Sequence, residues 1–181
     1  MWDNFKPKDI TGDDRTINKT ELVKDFLDDA HCKTIKLTSP MALSEFLKKE
    51  IEFGSSGVYC IYNDERKEVL DVGKSKNLRG RIREQLVGVK SRKDKMRPLR
   101  FPRLFFAFLR TEYNEMKEKE YNKLPDHKKK EYVESYQNEI FRSDNSLRIC
   151  VTKDHLRAIV LEHTLIKYFK SKGQCKYNFQ I

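Results

Sequence analysis

Apolar positions along the chain recur at two spacings, one helical and one alternating, and the changes between them mark the elements. The first ten or so residues are polar and read as a loose arm. Thr20 can then cap a helix whose Leu22, Val23, Phe26 and Leu27 share one face. Ser39-Pro40 is an N-cap followed by a first-turn proline, Leu43, Phe46 and Leu47 form the stripe of a second helix, and Gly54 can end it. Val58 to Tyr62 and Glu68 to Val72 are short runs of aromatic and β-branched residues around the polar Asn63-Asp64-Glu65-Arg66-Lys67, the pattern of a β-hairpin. Asn77 opens a helix that buries Leu78, Ile82 and Leu86 at fourfold spacing and closes at Gly88.

Residues 89–103 are basic and broken by proline, which predicts a loop. Leu104 to Leu109 is apolar throughout, so its period does not separate strand from helix, and a strand is the expectation. Residues 112–123 and 126–142 predict two charged helices broken at Pro125, the second capped by Asp126 with Val133, Tyr136 and Ile140 on one face. Both are expected to form an insertion outside the core. Leu147 to Thr152 predicts a strand. A helix starting at Lys153 or Asp154 carries Leu156, Ile159, Val160, Leu165, Ile166 and Phe169 before Lys172-Gly173-Gln174 closes it.

Composition narrows the class. At 181 residues the chain is long enough for one packed domain with additions, and a charged fraction of 36% against 38% hydrophobic implies a small core under an ionic surface. The net charge of +10 points to a polyanionic partner. Its distribution is uneven: Lys74 to Arg110 holds 13 Lys or Arg against Glu84 and Asp94, whereas residues 1–53 hold 9 basic and 11 acidic side chains. No run approaches the roughly 18 apolar residues of a membrane span, and the opening residues lack the apolar stretch of a secretory signal. A soluble, cytoplasmic protein without membrane contact is expected. Cys32, Cys60, Cys150 and Cys175 lie far apart without a CxxC pair, so they are read as reduced and structural.

Two separated stretches carry a resemblance. Gly57-Val58-Tyr59, Val72-Gly73-Lys74-Ser75 and Asn77-Leu78-Arg79-Gly80-Arg81 resemble the two halves of the GIY-YIG nuclease motif and the helix after it. Ala158 to Lys167, containing Glu162, and Lys176-Tyr177-Asn178 are similar to that superfamily's glutamate helix and terminal Tyr-Asn. The likeness covers about residues 57–88 and 147–178, little over a third of the chain. It implies an α+β fold with a small three-stranded mixed or antiparallel sheet flanked by helices. Residues 1–56 would then be an N-terminal arm and helical extension, and 57–181 a nuclease core interrupted at about 89–146 by a basic loop and helical insertion.

The implied chemistry is hydrolysis of a phosphodiester with one divalent metal, Mg²⁺ or Mn²⁺. Such a reaction needs a deprotonated water, positive groups around the phosphorus and relief of charge on the leaving oxygen. By the resemblance, Glu162 is the metal ligand; one carboxylate suffices when phosphate and water complete the shell. Tyr59 hydrogen-bonds and helps deprotonate the attacking water, although a phenol near pKa 10 is a poor base unless Arg81, Lys74 and the metal lower it. Arg81 contacts the scissile phosphate, and Lys74 stands where some members keep a lysine. Gly57, Gly73 and Asn178 are structural. Read without the family, Tyr59 is a half-buried strand tyrosine, Glu162 a solvated helix glutamate, against which its apolar turn argues, and each arginine a solvated or phosphate-positioning charge.

Two positions depart from the pattern. Asp71 stands where the family has its second tyrosine, and Gln85 where many members have His or Tyr one turn after the arginine. Asp71 can be a second metal ligand, an alternative base, the mark of lost catalysis, or a surface aspartate. DNA contacts are expected from Lys76, Arg79, Arg83, Lys90, Arg92, Lys93, Lys95, Arg97, Arg100 and Arg103, with Phe101, Phe105 and Phe106 interleaved. The plan resembles small GIY-YIG restriction endonucleases, which implies double-strand cleavage by a homodimer on DNA. A silent nucleic-acid-binding module, a nuclease for branched DNA and an RNA-directed enzyme are the alternatives.

Overall fold

The computed structural model describes residues 18–88, 102–113 and 116–178. Its framework is a four-stranded sheet, antiparallel throughout, of β1 (Cys32–Lys36), β2 (Gly57–Asn63), β3 (Glu68–Ser75) and β4 (Asn145–Val151) in the order β1-β4-β2-β3. The α+β class holds, but the sheet has one strand more than expected. The additional strand is β1, which pairs with β4 from Cys32 opposite Cys150 to Lys36 opposite Ser146. Its only fully buried residue is Cys32. An edge strand bearing Lys33 and Lys36 is shielded from further pairing by its charges and shows no apolar run to mark it.

Seven helices among the described residues cover the sheet: α1 (Lys19–Leu27), α2 (Pro40–Glu50), α3 (Leu78–Leu86), α4 (Arg103–Glu112), α5 (Glu118–Lys123), α6 (Asp126–Ile140) and α7 (His155–Ser171). Their ends follow side-chain chemistry. Ser39 Oγ accepts from Ala42 N at 3.1 Å, Asn77 Oδ1 from Gly80 N at 3.2 Å and Asp154 Oδ1 from Arg157 N at 2.8 Å, each satisfying a donor that the first helical turn leaves free. Asn18, and not Thr20, caps α1, and Pro125 takes the cap position of α6 with Asp126 as its first residue. The second helix ends at Glu50, short of Gly54. Among the described residues no helix is long and apolar enough to cross a membrane.

The larger core joins β2 residues Tyr59 and Ile61 to α2, α3, α4 and α6. The smaller one joins Val58, Cys60 and Val72 to α1 and α7. Leu104 to Leu109 is helical rather than extended: Leu104, Phe105, Phe108 and Leu109 are buried, and Phe106 and Ala107 turn partly outward. Nor does the inserted stretch lie outside the core. Phe105 packs edge-on against Tyr121 at 5.1 Å and Tyr136 at 5.5 Å between ring centres, and Ile140 is fully buried beside them. Aromatic side chains on otherwise charged helices supply this contact, which a charge pattern conceals.

The region before Gly57 is joined to the sheet by more than β1. Buried Arg148 of β4 donates to Phe26 O at 2.7 Å, Leu27 O at 2.9 Å and Asp29 Oδ1 at 2.6 Å, satisfying carbonyls at the end of α1. At the other edge the chain's end closes β3: Cys175 N donates to Val69 O and Tyr177 N to Leu70 O, both at 2.8 Å. Asn178 continues this, accepting from Val72 N and donating to Val72 O, each at 2.8 Å. All four cysteines are free and buried.

Candidate active site

Antiparallel register brings the two halves of the motif together. Tyr59 lies opposite Gly73, and Ile61 opposite Asp71. Strand alternation therefore directs Tyr59, Asp71 and Gly73 to the same side, the side covered by α3. Both motif glycines answer to close packing. A Cβ on Gly73 would stand 2.2 Å from Tyr59 Oη, so the phenol lies directly across this residue's backbone. A Cβ on Gly57 would stand 2.1 Å from Cys150 O, inside the β2–β4 pairing. Gly73→Ala is expected to displace the Tyr59 ring and cost about 1–3 kcal/mol of stability, read as a lower urea midpoint; an unchanged midpoint would mean the ring moves freely.

The residues on this side are enclosed. Tyr59 is 0% exposed, Asp71 3% and Gln85, one turn beyond Arg81 on α3, 8%. Tyr59 Oη, Asp71 Oδ2 and Gln85 Oε1 are buried together, and hydrogen bonding from Tyr59 and Gln85 favours the Asp71 carboxylate. Tyr136 of α6 closes the same region, its hydroxyl donating to Leu86 O at 3.2 Å while sensing the Asp71 charge.

Electrostatics separates the two acids of the motif. Burial pushes Asp71 up to about 7; Arg81, Tyr59 and Gln85 favour the carboxylate, and Glu162 opposes it. Burial first, and then the Asp71 charge, push the Tyr59 phenol well above its ordinary range against the opposing pull of Arg81. Arg81 does not lower the phenol to neutrality, so Tyr59 is a neutral donor near pH 7. Asp71 is the group able to exchange a proton there.

Lys74 lies opposite Val58, a residue of the smaller core, and thus falls on the side of α7. There its ammonium forms an ion pair with Glu162, both groups partly shielded at 31% and 17% exposure. The parts named by the resemblance are thus divided between the two faces of β2 and β3. They remain close enough across the sheet for Glu162 to act on both Tyr59 and Asp71. Arg81 is half-buried and pairs with Glu84 at 3.5 Å, which also receives Arg103 at 2.9 Å.

Among the described residues no group of three or more His, Cys, Asp or Glu side chains could enclose a metal. The partly exposed Glu162 carboxylate fits a hard cation that shares its shell with water and phosphate, whereas Asp71 is enclosed. Around this centre Lys76, Arg83 and Arg103 are exposed and Arg79 half-exposed. Lys90, Arg92, Lys93, Lys95, Arg97, Arg100 and Phe101 lie outside the described residues. Phe105 is buried in the core, so it is not available to interleave with nucleic acid as expected, while Phe106 packs against that core and stays partly exposed.

Motif spacing in the sequence points to Tyr59, Asp71, Lys74, Arg81 and Glu162 but gives no role to two of their neighbours. Gln85 stands out only as a departure from a pattern, though an amide among Leu78, Ile82 and Leu86 on a buried face is a usable signal. Tyr136 has no such signal, because its approach depends on how α6 packs against α3. No protein-family model, curated protein or solved structure matches the chain.

Proposed function

We propose that the chain is a divalent-metal-dependent DNA endonuclease that hydrolyses phosphodiester bonds. The observation that carries this reading is the approach of β2, β3, α3 and α7, which brings Arg81 and Glu162 within electrostatic reach of both Tyr59 and Asp71 and pairs Lys74 with Glu162. Exposed Lys76 and Arg83 lie beside them and suit phosphate contacts.

In this reading Arg81 offsets charge on the phosphate oxygens, exchanging its weak contact with Glu84 for a charge-assisted one. Lys74 and Glu162 form the resting pair. A phosphate oxygen suits the ammonium and a hard cation suits the carboxylate, so substrate and cation together part them. Mg²⁺ or Mn²⁺ held by Glu162 would supply Lewis-acid polarisation of the phosphate and relief of charge on the leaving oxygen. Tyr59 orients the water side of the site through its hydroxyl, and Asp71 receives the proton. With one such site per chain, cutting both strands calls for a homodimer, as in restriction-type cleavage.

The enclosure of Tyr59 and Asp71 favours a second reading, a module that binds nucleic acid without cutting it. Incubation with supercoiled plasmid and phage DNA, with Mg²⁺ and with EDTA, separates the two. Discrete fragments that disappear with EDTA are the expected result, while intact DNA at concentrations that shift its mobility would leave only the binding module. Fragments confined to branched DNA or to RNA would redirect the substrate and keep the chemistry.

A further inference from the structure

Two of the four free cysteines face each other on neighbouring strands. Cys32, the first residue of β1, lies directly opposite Cys150 of β4. Opposed residues of an antiparallel pair point to the same side with Cα atoms about 4.5–5.5 Å apart, inside the range of about 4.4–6.8 Å that a disulfide spans. Both side chains are buried in the smaller core, Cys32 at 7% exposure and Cys150 at 3%. We propose that Cys32 and Cys150 form a reversible disulfide site, oxidised by a peroxide, that fastens the edge strand β1 to the sheet.

Buried cysteines commonly serve as small apolar side chains, and the other two fit that use. Cys60 lies opposite Val72 on one side and Arg148 on the other, and Cys175 follows α7 outside the strands, so neither has a cysteine as its strand partner. The Cys32 thiol, by contrast, lies within hydrogen-bonding reach of Cys150 and donates to Phe26 O at 3.3 Å, with Asp25 O at 3.5 Å. Hydrogen bonding from Cys150, and then the Arg148 guanidinium, hold this thiol below its ordinary range against burial and the Asp29 charge. The same contact, together with burial, raises Cys150. Cys32 is therefore the sulfur that reacts first and Cys150 the one that resolves. Its place at the start of an edge strand, where local opening is least costly, admits a small oxidant.

Hydrogen peroxide balances the reaction as the sole oxidant. The Cys32 sulfur, losing its proton, attacks one peroxide oxygen and the O–O bond breaks; the sulfur keeps that oxygen as a sulfenic acid, and the other oxygen leaves with the proton as water. The Cys150 sulfur then attacks Cys32, the S–O bond breaks, and hydroxide leaves with the Cys150 proton as a second water. Two thiols have then given up two electrons and two protons to one peroxide. An external dithiol reverses the bond by exchange through a mixed disulfide. The closed loop runs over residues 32–150, from β1 to β4, so the bond constrains a long stretch of the unfolded chain. Neither sulfur belongs to the candidate active site, and the disulfide site stands apart from the nuclease reading.

Peptide mapping of the folded full chain tests the site. After hydrogen peroxide, alkylation and digestion without reductant, the peptides holding Cys32 and Cys150 are expected to be joined, about 2 Da lighter than the reduced pair, and to separate again in dithiothreitol. The urea midpoint of the oxidised chain should exceed that of the reduced chain by about 1–2 M. Both cysteines still open to alkylation once the treated chain is unfolded would overturn the proposal. So would a bond from either one to Cys60 or Cys175, or an oxidised chain that unfolds at lower urea than the reduced one. Cys150→Ala should leave Cys32 as a sulfenic acid that dimedone captures, whereas Cys32→Ala should leave Cys150 unmodified at the same dose; capture at Cys150 instead would overturn the order of attack. Because each variant removes part of the smaller core, the map of the unsubstituted chain decides the site by itself.

Discussion

Asparagine in place of Asp71 is expected to make the folded chain more stable than the unsubstituted one at about pH 8, by on the order of 4 kcal/mol, and to leave its stability nearly unchanged at about pH 4. The sign follows from burial. Asp71 titrates at about 7 in the folded chain, its carboxyl raised mainly by loss of hydration, against about 3.9 when unfolded. Below pH 4 the group is protonated in both states and contributes no difference. Between about pH 4 and pH 7 the folded state holds a proton that the unfolded state releases, so stability falls as pH rises, and the loss is complete above the folded value. Asparagine has no such proton and keeps the neutral form's stability throughout. Urea midpoints across this pH range read the effect. Parallel curves for the two proteins would mean that Asp71 is ionised and paired in the folded state. A carboxylate kept at such a cost in a core otherwise lined by Leu70, Ile82 and Leu86 is more readily understood as serving chemistry than as serving stability.

Glu162→Gln is expected to reduce Mg²⁺-dependent plasmid cleavage by about a hundredfold to a thousandfold while the protein remains folded. The two halves of that expectation have separate grounds. An amide of the same size cannot match a carboxylate as a hard-cation ligand, so the loss falls on the metal-dependent step. The partly exposed pair with Lys74 contributes no more than about 1 kcal/mol to stability, so circular dichroism and the urea midpoint should barely change. DNA binding, measured by mobility shift in EDTA, should be retained or strengthened, because Lys74 is released from its carboxylate partner. Cleavage that persists in Glu162→Gln would remove Glu162 from the site, and a collapsed fold would show that the Lys74 contact serves structure.

Local chemistry makes several elements legible in the sequence. The hairpin is visible from two apolar runs around a polar turn, α2 from Ser39-Pro40, α3 from Asn77 and Gly88, and α7 from its apolar surface behind Asp154. Each depends on neighbours a few residues apart. β1 and α4 are hidden for opposite reasons. Cys32 to Lys36 has too few apolar residues to announce an edge strand, and Leu104 to Leu109 has too many to show a period.

The candidate site divides along the same line. Residue types at motif spacing single out Tyr59, Lys74, Arg81 and Glu162, and the break in that spacing singles out Asp71 and Gln85. What the chain's order of residues determined by itself was therefore which side chains were available and which backbone positions required glycine or a cap. Tertiary structure alone decided that Lys74 meets Glu162 on the face opposite Tyr59, that Asp71 is buried and not a surface aspartate, and that α4 and α6 join the main core. The reason is physical: capping and periodicity are short-range, whereas burial, and with it the proton affinity of Asp71, depends on helices far away in sequence closing over the same patch of sheet.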